Sequence, residues 1–312
     1  MRRSMMLTVF ALFVFNANAQ QLLTLNKPDP SVPPFGVLLK RSVVNIELLC
    51  KDGEQLLNAG GTGFLVSYSD PRLPTDQFFE YLVTNRHVVE CWDDKSHPRQ
   101  VMTMAIRVNV KDGSSRLLTI DPAVWRTPVD DSIDLATAAV SLPNDLLIAV
   151  IPVADFATKE FMSTNQIAEG SPVILSGYFY QLPGQRRFQS IVRQGILAMM
   201  PDEPVTTTTG RPGTVYLCDV HIFNGNSGSP VMVTSTWLGV GGYHLLGVVS
   251  GNYSEDENFN LEITATVKGT ARANSGVAMV VPADQVKALL DSPELKNARE
   301  ALIPKAAATG KP

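Results

Sequence analysis

The sequence predicts an all-β fold, a sandwich or barrel of many short strands, and three observations carry that reading. Its apolar segments are short and rich in β-branched residues, Gly, Pro, Asp and Asn punctuate the gaps, and apolar spacing of helical period is almost absent. In chain order, SVVNIELL (42–49), TGFLVSY (62–68), YLVT (81–84) and VMTMAIRVNV (101–110) are the first strands. DLATAAV (134–140), PVILSGY (172–178), FQSIVRQGILAMM (188–200), TVYL (214–217) and PVMVTS (230–235) follow, then YHLLGVVS (243–250), LEITATV (261–267) and GVAMVV (276–281). Helix is expected mainly near the C-terminus. PADQVKALL (282–290) has Pro282 in its first turn, and SPELKNAREAL (292–302) has Ser292 as N-cap and Pro293 at the first helical position.

The first 19 residues are read apart from the fold. Arg2 and Arg3, an apolar run from Met5 to Phe15 and the small residues Ala17-Asn18-Ala19 have the layout of a secretory signal peptide cut after Ala19. The apolar run is too short to span a bilayer, and no later stretch reaches transmembrane length. Export to a periplasm or the cell exterior is the expectation. Removing 19 of 312 residues leaves 293, and losing both arginines moves the formal charge from −4 to −6. That mild acidity, with no basic patch, argues against a nucleic-acid partner. Residues 20–41 begin with a Pro-rich stretch and read as an N-terminal arm. Residues 42–291 then form the main domain, divided near 155–170, and 292–312 a C-terminal helix and tail. Of three cysteines, Cys50, Cys91 and Cys218, an oxidising compartment permits one disulfide and leaves one thiol over.

Chemistry concentrates in FNGNSGSPV (223–231), where Ser227 sits among glycines. Such a cluster is by itself ordinary turn chemistry. A serine attacks a carbonyl only with a base to take its proton and a third group to fix the base's tautomer. Four histidines are candidates for the base. His87, in TNRHVV, follows a strand end that would present its ring to a cleft. His97 lies in a charged loop and reads as solvated, His244 lies within a strand, and His221 is six residues before Ser227. Asp134 stands at a strand start before Leu-Ala, where a buried carboxylate needs a partner, while Asp130 and Asp131 lie in the preceding polar turn. GNSGS is not the GxSxG elbow of α/β-hydrolases. That fold also needs its histidine after both acid and serine, and only His244 follows Ser227.

TGFLVS, TNRHVV, IDLA and GNSGSPV, in that order, resemble the chymotrypsin-fold (trypsin-like) serine peptidases, with the nearer likeness to the bacterial HtrA/Deg-type and glutamyl endopeptidase branches. His87 and Asp134 are 47 residues apart, Asp134 and Ser227 93. The resemblance spans about Ser42 to Leu290. It implies two six-stranded antiparallel β-barrels with a C-terminal helix, Ser227 as nucleophile, His87 as general base then acid, and Asp134 as its orienter. It also implies an oxyanion hole from the backbone N–H groups of Gly225 and Ser227, and neither metal nor cofactor. The substrate would be a polypeptide. A catalytically silent peptide-binding homologue and an esterase using the same triad are the alternatives. Oligomeric state is not legible.

Departures from the family are informative. Animal trypsins carry Asp beside the nucleophile, engaged by a freed N-terminus; here it is Asn226, so the oxyanion turn is expected to form without that salt bridge. A Cys50–Cys91 bond would join the strand before TGFLVS to the turn behind His87, and Cys218 reads as a buried apolar residue. By resemblance, Ser250, Gly251 and Asn252 would pair with substrate as an edge strand, Gly276 would wall the specificity pocket, and His221 would lie near its base. His221 either favours an acidic or amide side chain or packs against the sheet, with the second preferred; Arg/Lys preference has no acid to support it. Residues 253–275 read as an exposed acidic loop followed by a hairpin through LEITATV. No PDZ-type module is expected after Leu290.

Overall fold

The computed structural model describes residues 32–92, 97–234, 242–262 and 266–303. The expected signal peptide and most of the N-terminal arm lie outside them.

The N-terminal half is one antiparallel-dominated sheet. It comprises β1 (Val43–Asp52), β2 (Gln55–Tyr68), β3 (Phe79–Thr84), β4 (Cys91–Trp92), β5 (Pro98–Asn109), β6 (Ser115–Thr119), β7 (Ala136–Ala139) and β8 (Ile151–Pro152). Its main path has six strands, β4-β5-β1-β2-β3-β7, with β6 added to β5 and β8 added parallel to β2. The ends of the path, β4 and β7, are two and four residues long and form no ladder with each other. The sheet therefore curls into a half-barrel, helped round by isolated bridges such as Val110 to Leu146. The C-terminal half closes fully. Strands β9 (Pro172–Tyr178), β10 (Ser190–Met199), β13 (Tyr216–Asp219), β14 (Pro230–Val233), β15 (His244–Glu262) and β16 (Thr266–Pro282) form a six-stranded barrel in the order β10-β13-β16-β15-β14-β9. A short hairpin, β11 (Val205–Thr206) with β12 (Pro212–Gly213), projects from the connection between β10 and β13.

Three apolar cores explain why so many segments read as continuous hydrophobic runs. One fills the first half-barrel, one fills the second barrel, and the third lies between them. Strand β3 is buried at every position. Its alternation sends Leu82 into the half-barrel and Phe79, Tyr81 and Val83 into the interface, where Met232, Leu245 and Val248 come from the second barrel. Each such side chain contributes about 1.5–3 kcal/mol of burial.

The described residues also form helices α1 (Phe35–Ser42), α2 (Arg86–Val89), α3 (Lys159–Thr164), α4 (Ala283–Leu290) and α5 (Pro293–Leu302), with short 3₁₀ turns at Pro122–Val124 and Val153–Asp155. Helices α4 and α5 match their expected spans, although Pro282 is the N-cap of α4 rather than part of its first turn. Arg299 locks α5 down. It is buried, donates to Tyr81 Oη (3.0 Å) and Leu290 O (2.8 Å), and lies 3.8 Å over the Tyr68 ring. Two expectations need correcting. The arm is helical from Phe35, where Leu38 and Leu39 find core to bury against. Residues 253–262 are not a loop, because β15 pairs with β16 without a break in direction out to Glu262 and Thr266. Backbone pairing outweighs the acidic composition there. Residues 263–265, in the expected LEITATV hairpin, lie outside the described residues.

Candidate active site

Strand β3 ends at Thr84, and the chain makes the single turn of α2 before Glu90 returns it to extended geometry. That short turn leaves His87 with a side chain 43% exposed, beside an Asp134 side chain that is only 4% exposed. Asp134 Oδ2 is 2.6 Å from His87 Nδ1, and Oδ1 accepts the His87 backbone N–H at 3.1 Å. Asn85, fully buried, donates to Asp134 O at 2.8 Å and ties the acid's backbone to the foot of α2. Burial pushes the Asp134 carboxyl up. The hydrogen bond and charge of His87, its N–H and the Thr208 hydroxyl outweigh that, holding the carboxyl below its ordinary value. An ionised acceptor makes Nδ1 the donor, so Nε2 carries the lone pair available to act as base. Asp130 and Asp131 stay in the polar turn, the first capping Ser132 N–H and the second paired with Arg86.

Ser227 comes from the loop before β14. The N–H of Asn226 donates to Phe223 O at 2.9 Å, Gly225 has φ +94°, and Asn224 has no positive φ. Those features define a type II turn, which requires a left-handed residue at its third position. It aims the Gly225 N–H opposite to the direction a type I turn would give. The N–H groups of Asn226, Gly228 and Ser229 are engaged by Phe223 O, Val249 O and Asn226 O. Among the described residues those of Gly225 and Ser227 have no hydrogen-bond acceptor, which leaves both donors uncommitted on either side of Asn226.

Asn226 holds this turn. It is fully buried, its Oδ1 accepts Phe223 N–H (2.9 Å), and its Nδ2 donates to Tyr178 O (2.8 Å) at the end of β9. Thr62, on β2, staples the loop from the other half. Its N–H donates to Ser227 O (2.9 Å), and its hydroxyl donates to Gly225 O (2.7 Å) while accepting Tyr178 N–H (2.8 Å). Gly228, at φ +84°, lies so close that a Cβ there would come 1.9 Å from Thr62 O and 2.3 Å from Thr84 Oγ1. A Cβ at Gly61 would meet both Ser227 O and the Val88 side chain at 3.0 Å. The loop of Ser227 is thus packed against the strand end and helix that carry His87. No hydrogen bond joins Ser227 Oγ to His87 among the described residues. Catalytic hydrogen bonds are often long before substrate tightens them.

The expected pocket residues meet in part. Val220 N–H donates to Gly276 O at 3.0 Å, so the strand leading to His221 borders Gly276, whose φ is +82° and whose α-carbon faces open space. His221 does not pack against the sheet as preferred from sequence. It is exposed, with its ring edge-on to Phe223 at 4.9 Å, and Phe223 also stacks under Arg193. Gly251 and Asn252 pair with Met279 and Ala278 on one side, and Ser250 Oγ donates to Met279 O at 3.4 Å. On the other side of Gly225 a cleft of about 740 Å³ opens between Asn45, Glu47, Tyr178, Tyr180 and Asn224.

Cys50 and Cys91 are disulfide-bonded, and Cys218 is a buried free thiol pushed up to about 12 by desolvation. His97 is exposed, and His244 lies at the start of β15 against the Phe161 ring. Among the described residues no cluster of His, Cys, Asp or Glu has the makings of a metal site, and no helix is long and apolar enough to cross a membrane. Sequence reading missed Thr62, Asn85, Tyr178 and Thr208. Thr62 is signalled only by its place in TGFLVS; Thr208, in TTTTG, carries no signal at all.

Among solved structures, the chain is similar to the crystal structure of Deg5, at 18% identity and a TM-score of 0.42 over 69% of this chain and 81% of that one. No curated protein matches its sequence. A family model described as the trypsin-like peptidase domain matches residues 61–241, a span that contains His87, Asp134 and Ser227. The chain belongs to the trypsin-like peptidase family.

Proposed function

We propose that the protein is an exported serine endopeptidase that cleaves peptide bonds through an acyl-enzyme. The observation that carries this reading is the type II turn at 223–226, which leaves the Gly225 and Ser227 N–H groups unused beside a serine. In this reading His87 Nε2 takes the proton of Ser227 Oγ as that oxygen bonds to the substrate carbonyl carbon. The oxyanion is received by the two N–H groups, a contribution of about 3 kcal/mol per donor. Asp134 stabilises the imidazolium, which then protonates the leaving amine; water repeats the sequence to release the acid and restore Ser227. Ser250 to Asn252 pair with the acyl side of the peptide, and the cleft lined by Glu47 and Tyr180 takes its leaving-group side. Export is supported by the layout of residues 1–19 and by the disulfide, a bond of oxidising compartments.

Cleavage profiling of a peptide library by the wild type and Ser227→Ala tests this. The wild type should cut, without preference for Lys or Arg, and the variant should not. A wild type that binds peptides and leaves them whole marks the silent homologue instead, a reading favoured by the absent Ser227–His87 hydrogen bond. Cleavage mainly after Lys or Arg contradicts the account of the pocket.

A further inference from the structure

The β11–β12 hairpin belongs to the second barrel by sequence, yet its tip reaches the acid of the first. Thr208 Oγ1 donates to Asp134 Oδ2 at 3.1 Å, the same oxygen that meets His87 Nδ1. The neighbouring Thr207 is buried and fastens the tip. Its hydroxyl contacts Ser132 O (3.3 Å) and Arg211 O (3.0 Å), and its N–H closes the turn on Arg211 O. Gly213 lies against Ser132, and Arg211 reaches Asp131 at 3.4 Å. The Thr208 methyl covers Gly251, where an added Cβ would come 2.6 Å from Cγ2. Ser250, next to Gly251, turns its hydroxyl to Met279 O instead of Asp134.

We infer that Thr208 is a positioning residue for the triad: the hairpin completes the hydrogen-bond set of Asp134 and, through its methyl, couples that acid to the strand expected to hold substrate. Asp134 is buried, so its carboxylate needs every acceptor site filled, and the remaining donors to it come from His87 itself. Without the Thr208 hydroxyl only the two His87 donors orient the carboxylate, and Oδ2 is held less firmly toward Nδ1. Substrate binding would be unaffected and proton transfer would suffer. The inference rests on the peptidase reading.

Two substitutions separate its parts. Thr208→Val keeps the methyl contact with Gly251 and removes the hydroxyl; Thr208→Ser does the reverse. The readout is inactivation by a fluorophosphonate probe, resolved into a maximal rate and a half-saturating concentration, with thermal melting to check folding. A hydrogen bond to a buried charge predicts a fall of roughly 10- to 100-fold in maximal rate for Thr208→Val, with half-saturation unchanged and recovery in Thr208→Ser. Folded Thr208→Val reacting at the wild-type maximal rate overturns the inference, as does a loss confined to Thr208→Ser. A wild type that never reacts at Ser227 refutes the peptidase reading instead, before the variants are compared.

Discussion

Replacing Asn226 by aspartate tests how the oxyanion turn is held. The side chains are nearly isosteric, and Asp retains an oxygen to accept Phe223 N–H. What it loses is the donor to Tyr178 O, leaving two oxygens facing each other at a site with no solvent exposure. Losing one buried hydrogen bond costs about 1–3 kcal/mol, and an unpaired buried carboxylate raises this to about 3–5 kcal/mol. The penalty has a defined pH dependence. When protonated, the acid can donate to Tyr178 O and replace the amide. Burial without a cation raises its folded pKa above the unfolded value of about 3.9, so the native state holds the proton longer. Stability relative to wild type should therefore be near normal at about pH 4 and fall as pH rises through the folded pKa. At about 2–4 °C per kcal/mol, melting at pH 8 should drop by roughly 6–20 °C. Maximal fluorophosphonate reactivity at pH 8 should fall about 100-fold as the Gly225 donor loses its aim. Melting of Asn226→Asp that tracks wild type from pH 4 to 8 would show that the Asn226 amide does not hold the turn.

Three further outcomes are expected. Glu80 is buried, and desolvation raises its pKa from 4.5 to about 8. A raised acid stabilises the fold less as pH climbs between those values, by roughly 5 kcal/mol at about 1.36 kcal/mol per unit. Glu80→Gln should flatten that decline in urea melts at pH 5 and pH 9, and an unchanged slope would place the dependence elsewhere. Cys50 and Cys91 are 41 residues apart, so opening the disulfide should cost about 4 kcal/mol from the unfolded chain's regained freedom. Denaturation of the paired Cys→Ala variant against the oxidised wild type measures it. Arg299→Met should cost about 3 kcal/mol by stranding Tyr81 Oη and Leu290 O, seen as a lower urea midpoint with α5 the first segment to exchange amide hydrogens.

The longer strands were mostly legible because each core imposes its own face: PVILSGY maps residue for residue onto β9, and PELKNAREAL onto α5, whereas β6 and the two-residue strands β4, β8, β11 and β12 were not foreseen. The pairing of His87 with Asp134 was legible from strand ends and burial, and the tight turn at Ser227 from its glycines. The supports were not. Thr62, Asn85 and Thr208 act through hydrogen bonds across 163, 49 and 74 residues, and nothing local in a threonine or asparagine announces a partner so far away. Composition also misled at 253–262, where an acidic run belongs to a strand because β16 continues to pair with it. The exposure of His221 was not legible either: its neighbour Phe223 is shared with Arg193, 30 residues away in sequence.

In the proposed mechanism Ser227 is a nucleophile served by His87 and the Gly225 and Ser227 N–H groups. Mass spectrometry of folded protein after fluorophosphonate treatment tests it directly. One covalent adduct is expected, on the peptide containing Ser227, absent in Ser227→Ala and strongly reduced in His87→Ala. An unmodified wild type, or an adduct on any other residue, would contradict it.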